Sequence, residues 1–146
     1  QLGYFGNGWC LKFYQRQFEW IGIKIKNFYN NSSVKMTAEK YFMMCEQLGN
    51  EPIPEEIPAT FEDFPHVVQT AMNIHAILPD NWEGFSGTYM GKDYTLFPYL
   101  ADKIYKVNNS AQLVQFVTLI DRIIMEQRAA SQKRKQRKNK NIKKAP

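Results

Sequence analysis

The chain has 146 residues, enough for one domain with a hydrophobic core and too few for two of ordinary size. Apolar residues make up 44% and the formal net charge is +5, near the globular average, so burial of apolar surface in the middle of the chain can offset its ordering entropy. No run approaches the ~20 apolar residues of a membrane span, which predicts a soluble protein, and two cysteines, Cys10 and Cys45, exclude a disulfide framework and read as free thiols.

The charge is unevenly placed. Residues 1–35 carry five Lys/Arg against Glu19 alone, and residues 36–102 carry eleven Asp/Glu against Lys40 and Lys92. The last twenty residues hold nine Lys/Arg and no acid. The pattern is an acidic body with a basic tail.

Residues 1–35 are basic and aromatic, with Trp9, Phe13, Tyr14, Phe18, Trp20, Phe28 and Tyr29 close together. Leu11, Tyr14, Phe18, Ile21, Ile25 and Phe28 recur at helical spacing, whereas "IGIKIK" from Ile21 alternates like a strand. Lys12, Arg16, Lys24 and Lys26 beside tryptophans also suit a helix lying on an anionic membrane surface. The first methionine is Met36, so a further reading makes residues 1–35 an extension foreign to the natural protein.

A first helix is expected in "TAEKYFMMCEQLG", with Thr37 as N-cap, Glu39 in the first turn and Gly49 as the left-handed stop. Pro52, Pro54, Pro58 and Pro65 then enforce an extended acidic connector. A second helix from Pro65 to Leu78 places Val67, Ala71, Ile74 and Leu78 on one face. "WEGFSGTYMGKDYT", Trp82–Thr95, follows as a glycine- and aromatic-rich loop. A third helix from about Pro98 to Val107 presents Leu100, Ile104 and Val107 to the core. Ser110 is the expected N-cap of a fourth, striped by Leu113, Val117, Ile120 and Ile124 and widened by Phe116 and Ile123. That helix is expected to fray into a disordered cationic tail near Lys133. The fold class is therefore a small all-α four-helix domain over 36–126, with the N-terminal extension 1–35 and the basic tail 127–146.

The loop resembles two catalytic motifs and satisfies neither. A phosphate-binding loop needs Gly, four residues, then Gly-Lys-Ser/Thr; here only three residues separate Gly87 from Gly91-Lys92, and Asp93 stands where the hydroxyl belongs. A nucleophile elbow needs Gly-x-Ser-x-Gly, but Gly87 follows Ser86 directly and Thr88 occupies the second glycine's place. His66 and His75 fall on different faces of the second helix and read as boundary residues without catalytic partners. Cys10, Cys45, His66 and His75 lack the paired spacing of a metal site. No catalytic residue, metal or cofactor is therefore expected.

What remains for the loop is structure and recognition. Trp82, Phe85, Tyr89 and Tyr94 either tuck beneath it as a satellite cluster or, with Lys92 and Asp93, form a protein-binding patch. In the tail, Lys133, Arg134, Lys135, Arg137, Lys138 and Lys140 suit nucleic acid bound through counterion release, or an acidic protein surface, including that of another copy. No aromatics interleave with them, so base stacking is not expected within the tail itself.

"MTAEKYFMMCEQLGNEPIPEEIP", "LPDNWEGFSGTYMGKDYT" and the Lys/Arg/Gln-rich C-terminus together resemble small proteins of tailed bacteriophages encoded among virion and tail morphogenesis genes. The resemblance covers roughly Met36 to the C-terminus. It implies a non-enzymatic assembly factor or minor structural protein, akin to tail-assembly chaperones, that contacts other phage structural or assembly proteins in the host bacterial cytoplasm or the virion. It supplies no catalytic residues. The alternative is a small nucleic-acid-binding protein that relies on its cationic tail.

Overall fold

The computed structural model describes residues 7–31 and 36–144, with side chains in the first segment from Gln15 to Asn30. The described residues are mostly helical: α1 (Asn7–Asn31), α2 (Ala38–Leu48), α3 (His66–Ile77), the short α4 (Phe97–Tyr99) and α5 (Ser110–Ile142). The strands β1 (Asp80–Trp82) and β2 (Tyr89–Lys92) pair as one antiparallel sheet. The chain divides into two compact units, residues 1–64 and 65–146.

In the first unit the conflict over "IGIKIK" resolves as helix. Ile25 is fully buried, and Ile23, which a strand would place on the same face, is 41% exposed. The helix packs on the proline-rich connector. Lys24 Nζ donates to the carbonyls of Pro54 and Ile57 at 2.6 and 2.9 Å, Asn27 Nδ2 donates to the Glu55 carbonyl, and the Phe28 ring meets Phe64 edge-on at 5.7 Å. These bonds satisfy carbonyls that the prolines leave without ladder partners. The ends of α2 form as the sequence dictates. Thr37 accepts from Lys40 N, and Gly49, at φ 68°, closes the helix with its N–H on Cys45 and Glu46 carbonyls. Cys45 is a buried free thiol; the Cys10 side chain lies outside the described residues.

The second unit is built on α3 packed against α5. Val68, Ile74, Leu78, Leu113, Val117 and Ile120 are buried essentially completely, and each such side chain stabilises the fold by about 1.5–3 kcal/mol relative to exposure. The buried face of α3 is rotated from the expected one: Val68 and Met72 join Ala71 and Ile74 inside, and Val67 is only half-buried. The N-cap of α5 is Asn109, whose side chain accepts from Gln112 N at 3.2 Å, and Ser110 is the first helical residue. The expected third helix is shorter and wider-wound. After α4, Leu100–Ile104 form a π turn closed by Tyr105 N on the Leu100 carbonyl; Leu100 and Ala101 face inward, whereas Ile104 is exposed.

The all-α expectation is corrected at the glycine-rich segment, which is a β-hairpin. Pro79 forbids continuation of α3, and Glu83 then organises the connection. Its carboxylate accepts from the Phe85 and Ser86 amides at 3.0 and 2.6 Å and from Ser86 Oγ. Glu83 N donates to the Thr88 carbonyl at 2.9 Å. The pairs Asp80↔Lys92 and Trp82↔Tyr89 enclose a register irregularity, and Gly91 there adopts φ +93°, a conformation open to glycine and strained for other residues. At the other end, α5 spans Ser110–Ile142. Alanine, glutamine, lysine and arginine are strong helix formers, and neither glycine nor proline interrupts them before Pro146.

Candidate functional site

The hairpin is fixed to the helices through one buried carboxylate. Asp121 stands on the core-facing side of α5, one turn after Val117, and is 6% exposed. Its Oδ1 accepts from His75 Nε2 on α3 at 3.2 Å and faces Tyr89 Oη at 3.4 Å. Its Oδ2 accepts from the Lys92 amide at 3.1 Å and from Tyr94 Oη at 2.9 Å. A carboxylate only accepts, so His75 carries its proton on Nε2. Burial opposes ionisation of Asp121, but the Lys92 amide, His75 and Tyr94 outweigh it and hold the carboxyl below its ordinary range. Burial, aided by the Lys92 charge and opposed by Asp121, pushes His75 down, so the ring is neutral. Burial and the adjacent carboxylate push both tyrosine hydroxyls up.

A second carboxylate ties the outer side. Asp80 binds Lys92 Nζ at 2.8 Å and lies 3.6 Å from an Arg128 guanidinium nitrogen; the Lys92 bond, more than the remaining neighbours, lowers its pKa. Lys92 Nζ also donates to the Leu78 carbonyl at 2.9 Å. The Arg128 guanidinium lies 3.9 Å from the Tyr89 ring centre and 5.3 Å from that of Trp82, and the two rings meet edge-on at 5.2 Å. One continuous network therefore joins α3, the hairpin and α5, and every buried side-chain polar atom among the described residues has a partner. Asp121 accepts from His75, the Lys92 amide and Tyr94, while the single hydroxyl hydrogen of Tyr89 has a nearer acceptor in Asp80 Oδ1 at 3.2 Å.

The residues proposed from sequence as a binding patch separate into two groups. Tyr89 is buried at 6% exposure, Lys92 is engaged with Asp80, and Asp93 is turned onto the amide and hydroxyl of Thr95 at 2.9 and 2.6 Å. Trp82 remains 56% exposed and Phe85 wholly so, and Tyr94 is partly exposed while its hydroxyl reaches Asp121. Ser86 is held by Glu83 and Thr88. His75 is a buried partner of a carboxylate instead of a boundary residue; His66 is exposed. The tail cations Lys133, Arg134, Lys135, Arg137, Lys138 and Lys140 are exposed along α5, and Lys135 also borders a cleft beside the hairpin.

Sequence reasoning missed Asp80, Asp121 and Arg128. Asp121 carried a usable signal. It lies four residues after Val117 in "TLIDRII", on the apolar side of the stripe, where a carboxylate requires partners. Among the described residues no group of three His, Cys, Asp or Glu could hold a metal ion, and no helix is long and apolar enough to cross a membrane. Comparison with protein-family models, curated proteins and solved structures gives no match.

Proposed function

We propose that the protein is a non-enzymatic assembly factor or minor structural protein acting through protein–protein contacts, with the hairpin tip as its contact surface. The observation that carries this reading is Phe85: a fully exposed aromatic ring on a turn held by Glu83, above a stem fixed by Asp121. Large aromatics dominate binding energy at interfaces, and a turn ordered before binding loses little freedom on association. Trp82, at the end of β1, extends the same surface. The resemblance to tailed-phage morphogenesis proteins suggests the partners: other phage structural or assembly proteins, or a second copy of this chain, in the host cytoplasm or the virion.

The test is co-expression of the tagged protein with the products of its neighbouring genes. Phe85→Ala is expected to lose a partner that the wild type retains while keeping its melting temperature, and folded Trp82→Ala to lose the same partner. Retention of that partner by both folded variants contradicts the reading. The second reading, nucleic-acid binding through the tail, is favoured by the exposed cations of α5. It predicts steeply salt-dependent binding to random-sequence DNA that vanishes without residues 127–146.

A further inference from the structure

The aromatic groups absent from the basic tail are supplied by the hairpin. Between the hairpin and α5 lies a cleft of ≈ 410 Å³, lined among others by Trp82, Tyr89, Met125, Arg128, Gln132 and Lys135, a volume within the ~300–1,000 Å³ range of small-ligand pockets. Its walls differ in chemistry. The hairpin side offers the Trp82 ring, more than half exposed, and the helix side offers amide, hydroxyl and cationic groups from Gln132, Ser131 and Lys135. Arg128, fixed between the Tyr89 ring and Asp80, forms part of the boundary. Helical spacing continues the face of Gln132 and Lys135 to Lys138 and Asn139, so the cleft opens onto a cationic strip in a segment with nine Lys/Arg and no acid.

We propose that this cleft is a single-stranded nucleic-acid site, in which one base stacks on Trp82 while the flanking phosphates lie along Lys135 and Lys138. An exposed flat ring beside a cationic strip is the pairing that such strands require: stacking accepts any base, and the lysines take the backbone. Bases inside a duplex are already stacked and cannot reach the ring, so the site discriminates between strand states. A purely acidic segment without apolar or aromatic side chains would satisfy the lysines but would have no flat group to stack on the ring. The site shares Trp82 with the contact surface proposed above but not Phe85, which does not line it.

The test is fluorescence anisotropy on the full chain with labelled oligothymidylate, oligouridylate, a duplex of the same length and polyglutamate, each at low and physiological salt. Wild type is expected to bind both single strands more tightly than the duplex or polyglutamate, with quenching of tryptophan emission. Trp82→Ala is expected to weaken single-strand binding about tenfold and leave duplex binding unchanged, and Trp82→Phe to recover most of the loss. Lys135→Gln is expected to weaken both and to reduce the single-strand salt slope by about 0.7. Gln132→Glu, which keeps the packing and adds a negative charge, is expected to weaken single-strand binding should Trp82→Ala prove less stable. Phe85→Ala is expected to leave all of these affinities unchanged, which separates this site from the hairpin tip. The proposal is overturned by the absence of single-strand binding, by equal effects of Trp82→Ala on single strands and duplex, or by polyglutamate binding as tightly as either oligonucleotide.

Discussion

A β-carbon added to Gly91 would lie 2.8 Å from Asp121 Oδ2 and 3.2 Å from Met125 Sδ. The closeness has a direct cause: the Lys92 amide, one residue on, donates to the same oxygen, so the strand backbone must lie against the helix. Gly91 also sits at φ +93°. Gly91→Ala is therefore expected to destabilise the second unit by about 2–3 kcal/mol through clash and backbone strain together. In a unit of this size that lowers the melting temperature by roughly 4–8 °C per kcal/mol. An unchanged melting temperature would mean that β2 does not lie against α5.

Asp121→Asn keeps the shape and removes the charge. Its amide donors then face groups that themselves donate, among them the Lys92 amide and Tyr94 hydroxyl. A loss of about 3 kcal/mol is expected from denaturant midpoints. Asp93→Asn, which alters a carboxylate bound only within its own turn, is expected to stay within about 0.5 kcal/mol of wild type.

The same cluster sets the acid response. His75 is held below its ordinary pKa, so the unfolded chain binds a proton first; stability is full above about pH 6.5 and falls as pH drops toward the folded value. Asp121 and Asp80 are also lowered. Their contribution is full above about pH 4 and is lost as pH falls through their folded values. Urea unfolding followed across pH should show both declines, and His75→Gln, which retains a donor for Asp121, should remove the first. Equal or greater wild-type stability at pH 5.5 than at pH 7.5 would contradict this assignment.

Two aromatics of the hairpin should respond oppositely to truncation. Tyr89→Ala empties a buried position and is expected to cost about 3–5 kcal/mol. Phe85→Ala, at a site wholly in solvent, is expected to change stability by less than about 0.5 kcal/mol. Thermal melts of the two variants decide whether the tip is dispensable to the fold.

How much of this was legible depended on whether the signal was local. Thr37 and Gly49 bound α2 through bonds to residues three or four positions away, and a short window of sequence contains everything needed. The Leu113–Ile123 stripe was readable for the same reason. Placing the N-cap at Ser110 missed by one residue because Asn109 and Ser110 are both good caps, and only the backbone angle separates them. The hairpin was not legible: its strands are three and four residues long and lack alternating apolar residues, and its stability comes from Asp121, some thirty residues away.

Hydrogen exchange at the Lys92 amide tests the central claim, that a buried Asp121 fixes an otherwise solvent-facing hairpin, most directly. The expected result is protection matching that of the Ile120 and Asp121 amides in the core of α5, alongside rapid exchange at the exposed Gly84 in the turn. Exchange at Lys92 as fast as at Gly84 would contradict the account, because the hairpin would then open without unfolding the helices it is said to rest on.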